Sequence, residues 1–154
     1  MYWSSKVVRP GSGRGIITLI CFFLDEAVAF AAGHRPCGEC RRSDYNAYRQ
    51  AWYETCGGTA PYAKDMDNQL HRERISHGGH SLPWRTLPDG AFVSTDDGPA
   101  VVVGDYVALW DEADNAYRRR LPRPTDGSAT VLTPASTVAV LRAGYPVQID
   151  PAAC

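Results

Sequence analysis

Cys37 and Cys40 are separated by two residues. A Cys-x-x-Cys on a tight turn directs two thiolates at one point, as a tetrahedral zinc ion requires. A second group follows downstream: His71, His77 and His80, with Asp65, Asp67 and Glu73 nearby. Imidazoles and carboxylates of this kind can ligate a metal or act as a general base. They lack the His-Glu-x-x-His spacing of a zinc protease helix. The ordinary alternative is a solvated helix end running into a glycine-rich loop. Arg35, Arg41 and Arg42 surround the cysteine pair. Guanidinium groups beside a helix N-terminus make a phosphate site, so nucleic acid is one expected partner. The alternative for Arg35 is a structural brace of the turn. A redox dithiol is a further use for such a pair, but the βαβ order of a thioredoxin-like fold is missing.

The elements around these residues can be read from spacing. Leu24, Ala27, Val28, Ala31 and Ala32 fall on one helix face. Asp25 suits the N-cap, and Glu26 the positive end of the helix dipole. Gly33 supplies a left-handed stop and Pro36 prevents continuation, which puts the cysteines on a turn just past a helix. A second helix is expected over 43–54, with Ser43 as its cap and Gly57-Gly58 after its end. Tyr45, Tyr48 and Trp52 share one face of it. They could offer a platform for bases, but aromatic residues at this spacing more often pack on a neighbouring helix. A third, polar helix is expected over 61–76.

Residues 22–42 resemble the second half of the metal-binding domain of Ada-type methylphosphotriester repair proteins. In that family a helix ends in Ala-Gly-x-Arg-Pro-Cys-x-x-Cys, matched here by Ala32, Gly33, Arg35, Pro36, Cys37 and Cys40. The resemblance implies a zinc ion held by cysteines, with Cys37 and Cys40 as ligands, and contact with DNA phosphates. It covers only this stretch of the 154 residues. The family's first cysteine pair, which includes the methyl acceptor, has no counterpart in MYWSSKVVRP. No methyl transfer is therefore expected, and an N-terminal truncation would account for the missing pair. The remaining zinc ligands would come from the histidine group or from residues missing at the N-terminus. Cys21 and His34 do not stand at family ligand positions, and Cys56 could fold back only if the second helix packs on the turn.

Composition sets wider bounds. The net charge of −1 gives no global field toward nucleic acid or membrane. Arginines cluster at 41–42, 72–74 and 118–120, where a solvated surface is the plain reading. The apolar run over 16–24 is too short to span a bilayer and no signal peptide is recognisable. Five cysteines, an odd number, fit a reducing cytoplasm better than a disulfide frame.

Strands are expected over 91–94, 101–103, 106–110, 117–121 and 129–132, preceded by a hairpin of 2–9 with 16–23. Thr133 and Pro134 read as the cap and first residue of a last helix that ends at Gly144. The expected fold class is α+β. An N-terminal hairpin with two or three helices surrounds the Cys-x-x-Cys turn, followed by a small antiparallel sheet and a C-terminal helix. The divide falls between a metal-binding helical half, 1–76, and a β half, 77–154, unless the two form one compact domain. The functional expectation is a metal-binding module touching nucleic acid phosphates. The alternatives are a metal-dependent hydrolase or nuclease using His71, His77 and His80, or an inactive relative. Oligomeric state is left open.

Overall fold

The computed structural model describes residues 3–8, 18–57, 59–75 and 79–154, with side chains from Phe23 onward. Strands β1 (Trp3–Val8) and β2 (Thr18–Phe23) pair antiparallel, Trp3 opposite Phe23 and Val8 opposite Thr18. The turn expected between them lies outside the described residues. Three helices follow, α1 (Glu26–Ala31), α2 (Arg42–Cys56) and α3 (Ala63–Ile75). Asp25 caps α1, its Oδ1 accepting from the Val28 N–H at 2.9 Å. Gly33 follows with φ +79°, the conformation that ends a helix at low cost for glycine.

The small sheet expected after a helical half is overturned. The dominant element is a six-stranded antiparallel sheet of order β3-β8-β4-β5-β6-β7, preceded and followed by helices. Its strands are β3 (His80–Pro83), β4 (Phe92–Thr95), β5 (Gly98–Val103), β6 (Tyr106–Asp111), β7 (Ala116–Pro122) and β8 (Ser128–Val131). β3 falls in a stretch that reads as a linking loop. His80, Ser81 and Pro83 carry no strand signal, and proline is tolerated there because β3 pairs on one side only, with β8. The pairing partner, not local propensity, makes it a strand.

Side chains alternate across the sheet and give it two buried faces. Val93, Val102, Val107 and Leu109 pack with Val138 of the last helix, α4 (Ala135–Arg142). Phe92, Val101, Ala108 and Tyr117 pack with Ala27 and Val28 of α1. A third cluster joins Phe30, Tyr48, Trp52, Met66 and Leu70 to Ala91, Val140, Leu141 and Tyr145. Residues from before and after position 77 therefore share one apolar cluster. Each fully buried large side chain there contributes about 1.5–3 kcal/mol. Of the aromatic stripe on α2, Tyr48 and Trp52 are core residues, and the Tyr48 hydroxyl pairs with that of Thr137 at 2.8 Å.

The start of α4 corrects another expectation. Thr133 does not cap it, since its Oγ1 accepts instead from the Phe92 N–H at 2.8 Å. Glu73 of α3 takes that role from a distance, accepting from the Ser136 N–H at 3.0 Å and from the Ser136 hydroxyl. Among the described residues no helix is long and apolar enough to cross a membrane.

Candidate metal-binding turn

The chain leaves α1 at Gly33 and reaches Arg42, the first residue of α2, through the cysteine turn. Pro36 is buried, Cys37 half-buried and Cys40 exposed. The Arg41 N–H donates to the Cys37 carbonyl at 3.0 Å, closing the turn immediately before a helix of 15 residues. The positive end of that helix lies beside Cys40 and favours negative charge there.

Both flanking arginines are committed within the protein. Arg35 grips Asp67 of α3 with two nitrogens, Nε to Oδ1 at 2.8 Å and Nη2 to Oδ2 at 2.9 Å. Its Nη1 donates to the Pro36 carbonyl at 3.1 Å, and its guanidinium lies 5.1 Å from the centre of the Tyr45 ring. Arg41 donates to Glu26 at 2.9 Å and pairs with Asp44 at 2.6 Å. Arg42 is exposed at the first turn of α2. Of the three arginines expected at nucleic acid phosphates, two brace the cysteine turn and Arg42 faces solvent.

Behind Arg41 lies a buried acidic pair that spacing alone did not reveal. Glu26 is fully buried. Besides Arg41 it accepts from the Tyr145 hydroxyl at 2.8 Å and the Gln148 N–H at 3.0 Å. Asp25 accepts from the Tyr117 hydroxyl at 2.8 Å and the Asp150 N–H at 2.9 Å. Burial raises the Asp25 carboxyl above its ordinary range despite these bonds. Burial, then Glu26, raises the Tyr145 hydroxyl. The available signal was two adjacent acids at the head of an apolar helix. Their partners, 92 to 125 residues away, could not be named from spacing.

The histidines and acids of the second group scatter. Asp67 is held by Arg35, Asp65 accepts from the Tyr62 N–H at 3.2 Å, and Glu73 serves α4. His71 is exposed on α3, His80 begins β3, and His77 lies outside the described residues. His34 packs on the Phe23 ring, centroids 5.1 Å apart. Cys56 is exposed at the end of α2, and Cys21 lies on β2 opposite Ser5. Among the described residues no three of His, Cys, Asp and Glu are placed to hold one metal ion.

The arginines on β7 also have local uses. Arg118 pairs with Asp111 and Asp114, Arg119 with Asp97 at 3.1 Å, and Arg120 lies 5.1 Å from the Tyr106 ring centre. No family model matches the chain, and neither the curated proteins nor the solved structures include a significant match to it.

Proposed function

We propose that this protein is a metal-binding module whose working element is the Cys37–Cys40 turn, a zinc-type half-site resembling that of the Ada domain. The observation that carries it is the bracing on both sides of the turn. Arg35 and Arg41 fix its entry and exit to α3 and α1, so two cysteine positions are held without a disulfide frame. Such preorganisation lowers the entropy lost when a ligand is bound. A nucleic acid contact would rest on Arg42 and the start of α2. No residue stands at the methyl-acceptor position of the resembling family, so the proposed role is binding, without methyl transfer.

Co²⁺ titration tests the metal site, because thiolate coordination gives an intense charge-transfer band. The expected result is a saturable band that disappears in both Cys37→Ser and Cys40→Ser. Stoichiometric, chelator-resistant zinc in a protein lacking both cysteines would overturn the assignment. Arg42→Glu tests the phosphate contact separately. It should weaken low-salt DNA binding and reduce the salt slope by about one charge, and an unchanged slope would remove nucleic acid from the proposal.

A further inference from the structure

Cys37 and Cys40 stand on one closed turn. The Arg41 N–H donates to the Cys37 carbonyl at 3.0 Å, the bond from residue i+4 back to residue i that closes an α-helical turn. With a rise of about 1.5 Å per residue on a radius of about 2.3 Å, such a turn places Cα atoms three residues apart at about 5 Å. Side chains at that spacing also share a face. Disulfides join Cα atoms about 4.4–6.8 Å apart. The backbone therefore holds the pair at bonding separation, with Arg35 and Arg41 still fastened to Asp67 and Glu26.

The two thiols differ in access. Cys40 is exposed and Cys37 half-buried. Cys40 also lies two residues before Arg42, the first residue of α2, where the positive end of the helix favours a thiolate. Access and charge both make Cys40 the attacking thiol. Cys56 ends the same helix of 15 residues. At about 1.5 Å per residue that puts it roughly 20 Å along the axis, out of reach of Cys40 in the folded chain.

We infer that Cys37 and Cys40 form a reversible intramolecular disulfide, whose oxidant is a small disulfide of the glutathione class. The Cys40 thiolate attacks one sulfur of the oxidant, whose S–S bond breaks and releases one thiolate. Cys37 then loses its proton to solvent and attacks the Cys40 sulfur of the mixed disulfide. The Cys37–Cys40 bond forms and a second thiolate leaves. In sum the pair gives up two electrons and two protons, and one small disulfide becomes two thiols. This chemistry needs the turn alone, without the βαβ order of a thioredoxin-like fold. The bond consumes both thiolates, so the disulfide and a metal on the turn exclude each other. That consequence rests on the metal-binding reading; the redox pair itself does not.

The test equilibrates the full chain, with a chelator present, in buffers of reduced and oxidised glutathione at fixed pH. Acid quenching, alkylation and peptide mapping then read each cysteine. Because the chelator keeps metal away, failure of metal binding leaves this experiment standing. Cys37 and Cys40 should lose alkylation together in a monomeric chain, in proportion to the oxidised form divided by the square of the reduced form. Cys37→Ser should stop with one glutathione on Cys40. Cys40→Ser should take up glutathione about tenfold more slowly, since its remaining turn thiol is less accessible. Three results would overturn the inference: both thiols open to alkylation in every buffer, a bond from either to Cys56, Cys154 or a second chain, or equal rates in the two serine variants.

Discussion

Replacing Arg41 by alanine tests whether this arginine is a structural brace. Glu26 is fully buried and Arg41 is 14% exposed, so the substitution strands a carboxylate in the interior. Breaking a buried pair from one side costs about 3–5 kcal/mol. Glu26 would keep two donors, the Tyr145 hydroxyl and the Gln148 N–H, which favours the lower end, about 3 kcal/mol. For a chain of this size each kcal/mol lowers Tm by about 2–4 °C, so a fall of about 6–12 °C is expected. Asp44→Ala removes the half-exposed partner of Arg41 and should cost about 0–1 kcal/mol. Urea unfolding followed by circular dichroism measures all three proteins. The double variant Glu26→Gln with Arg41→Met should recover part of the loss, because no unpaired charge remains buried. A loss below about 1 kcal/mol in Arg41→Ala, or a double variant no more stable than Arg41→Ala, would refute the clamp.

Two further outcomes follow from groups outside the clamp. Burial lowers His34 and His80 below 6.5 in the folded protein, with the Arg74 charge adding to the effect on His34. Their neutral forms favour the fold fully above that pH, and the stability is lost as pH falls through the folded values. Melting should therefore move to lower temperature on acidification below pH 6.5, less steeply in His34→Gln; an equal slope in the variant removes His34 from the account. Tyr48→Phe leaves the buried Thr137 hydroxyl without its 2.8 Å partner and should cost about 1–2 kcal/mol. A cost near zero in urea unfolding would show that the Thr137 hydroxyl finds another partner.

The local grammar of the chain was readable because the groups that decide it are neighbours. Asp25 caps the helix that Gly33 ends, and Pro36 begins the turn, all from interactions spanning a few residues. The aromatic stripe of α2 was readable too, since period alone places Tyr48 and Trp52 inside. Long-range choices were not. β3 needs β8 to become a strand, and α4 takes its cap from Glu73, 63 residues earlier in the chain. The size of the sheet was missed for the same reason, because strands on its margin carry turn-like sequences. At the site, residue types announced the cysteine turn, but charge alone could not distinguish arginines facing a ligand from arginines facing buried acids.

That distinction changes how the stretch from Asp25 to Arg42 is understood. Glu26 lies at the head of α1 and Arg41 15 residues later at the entry to α2, so their contact folds the stretch back on itself. Arg35 fastens its middle to Asp67 of α3. Helix, stop and cysteine turn form a closed clip whose charges are spent on its own geometry. The Tyr145 hydroxyl and the backbone of Gln148 and Asp150 complete the acidic anchor, which ties the C-terminal segment to the cysteine turn through Glu26 and Arg41. Arginine beside a Cys-x-x-Cys is then required by the clip whether or not a phosphate is bound. A test that reverses Arg41 and Arg42 together would confound loss of structure with loss of a ligand contact. Arg42, outside the clip and exposed, is the position at which nucleic acid binding can be tested without dismantling the turn.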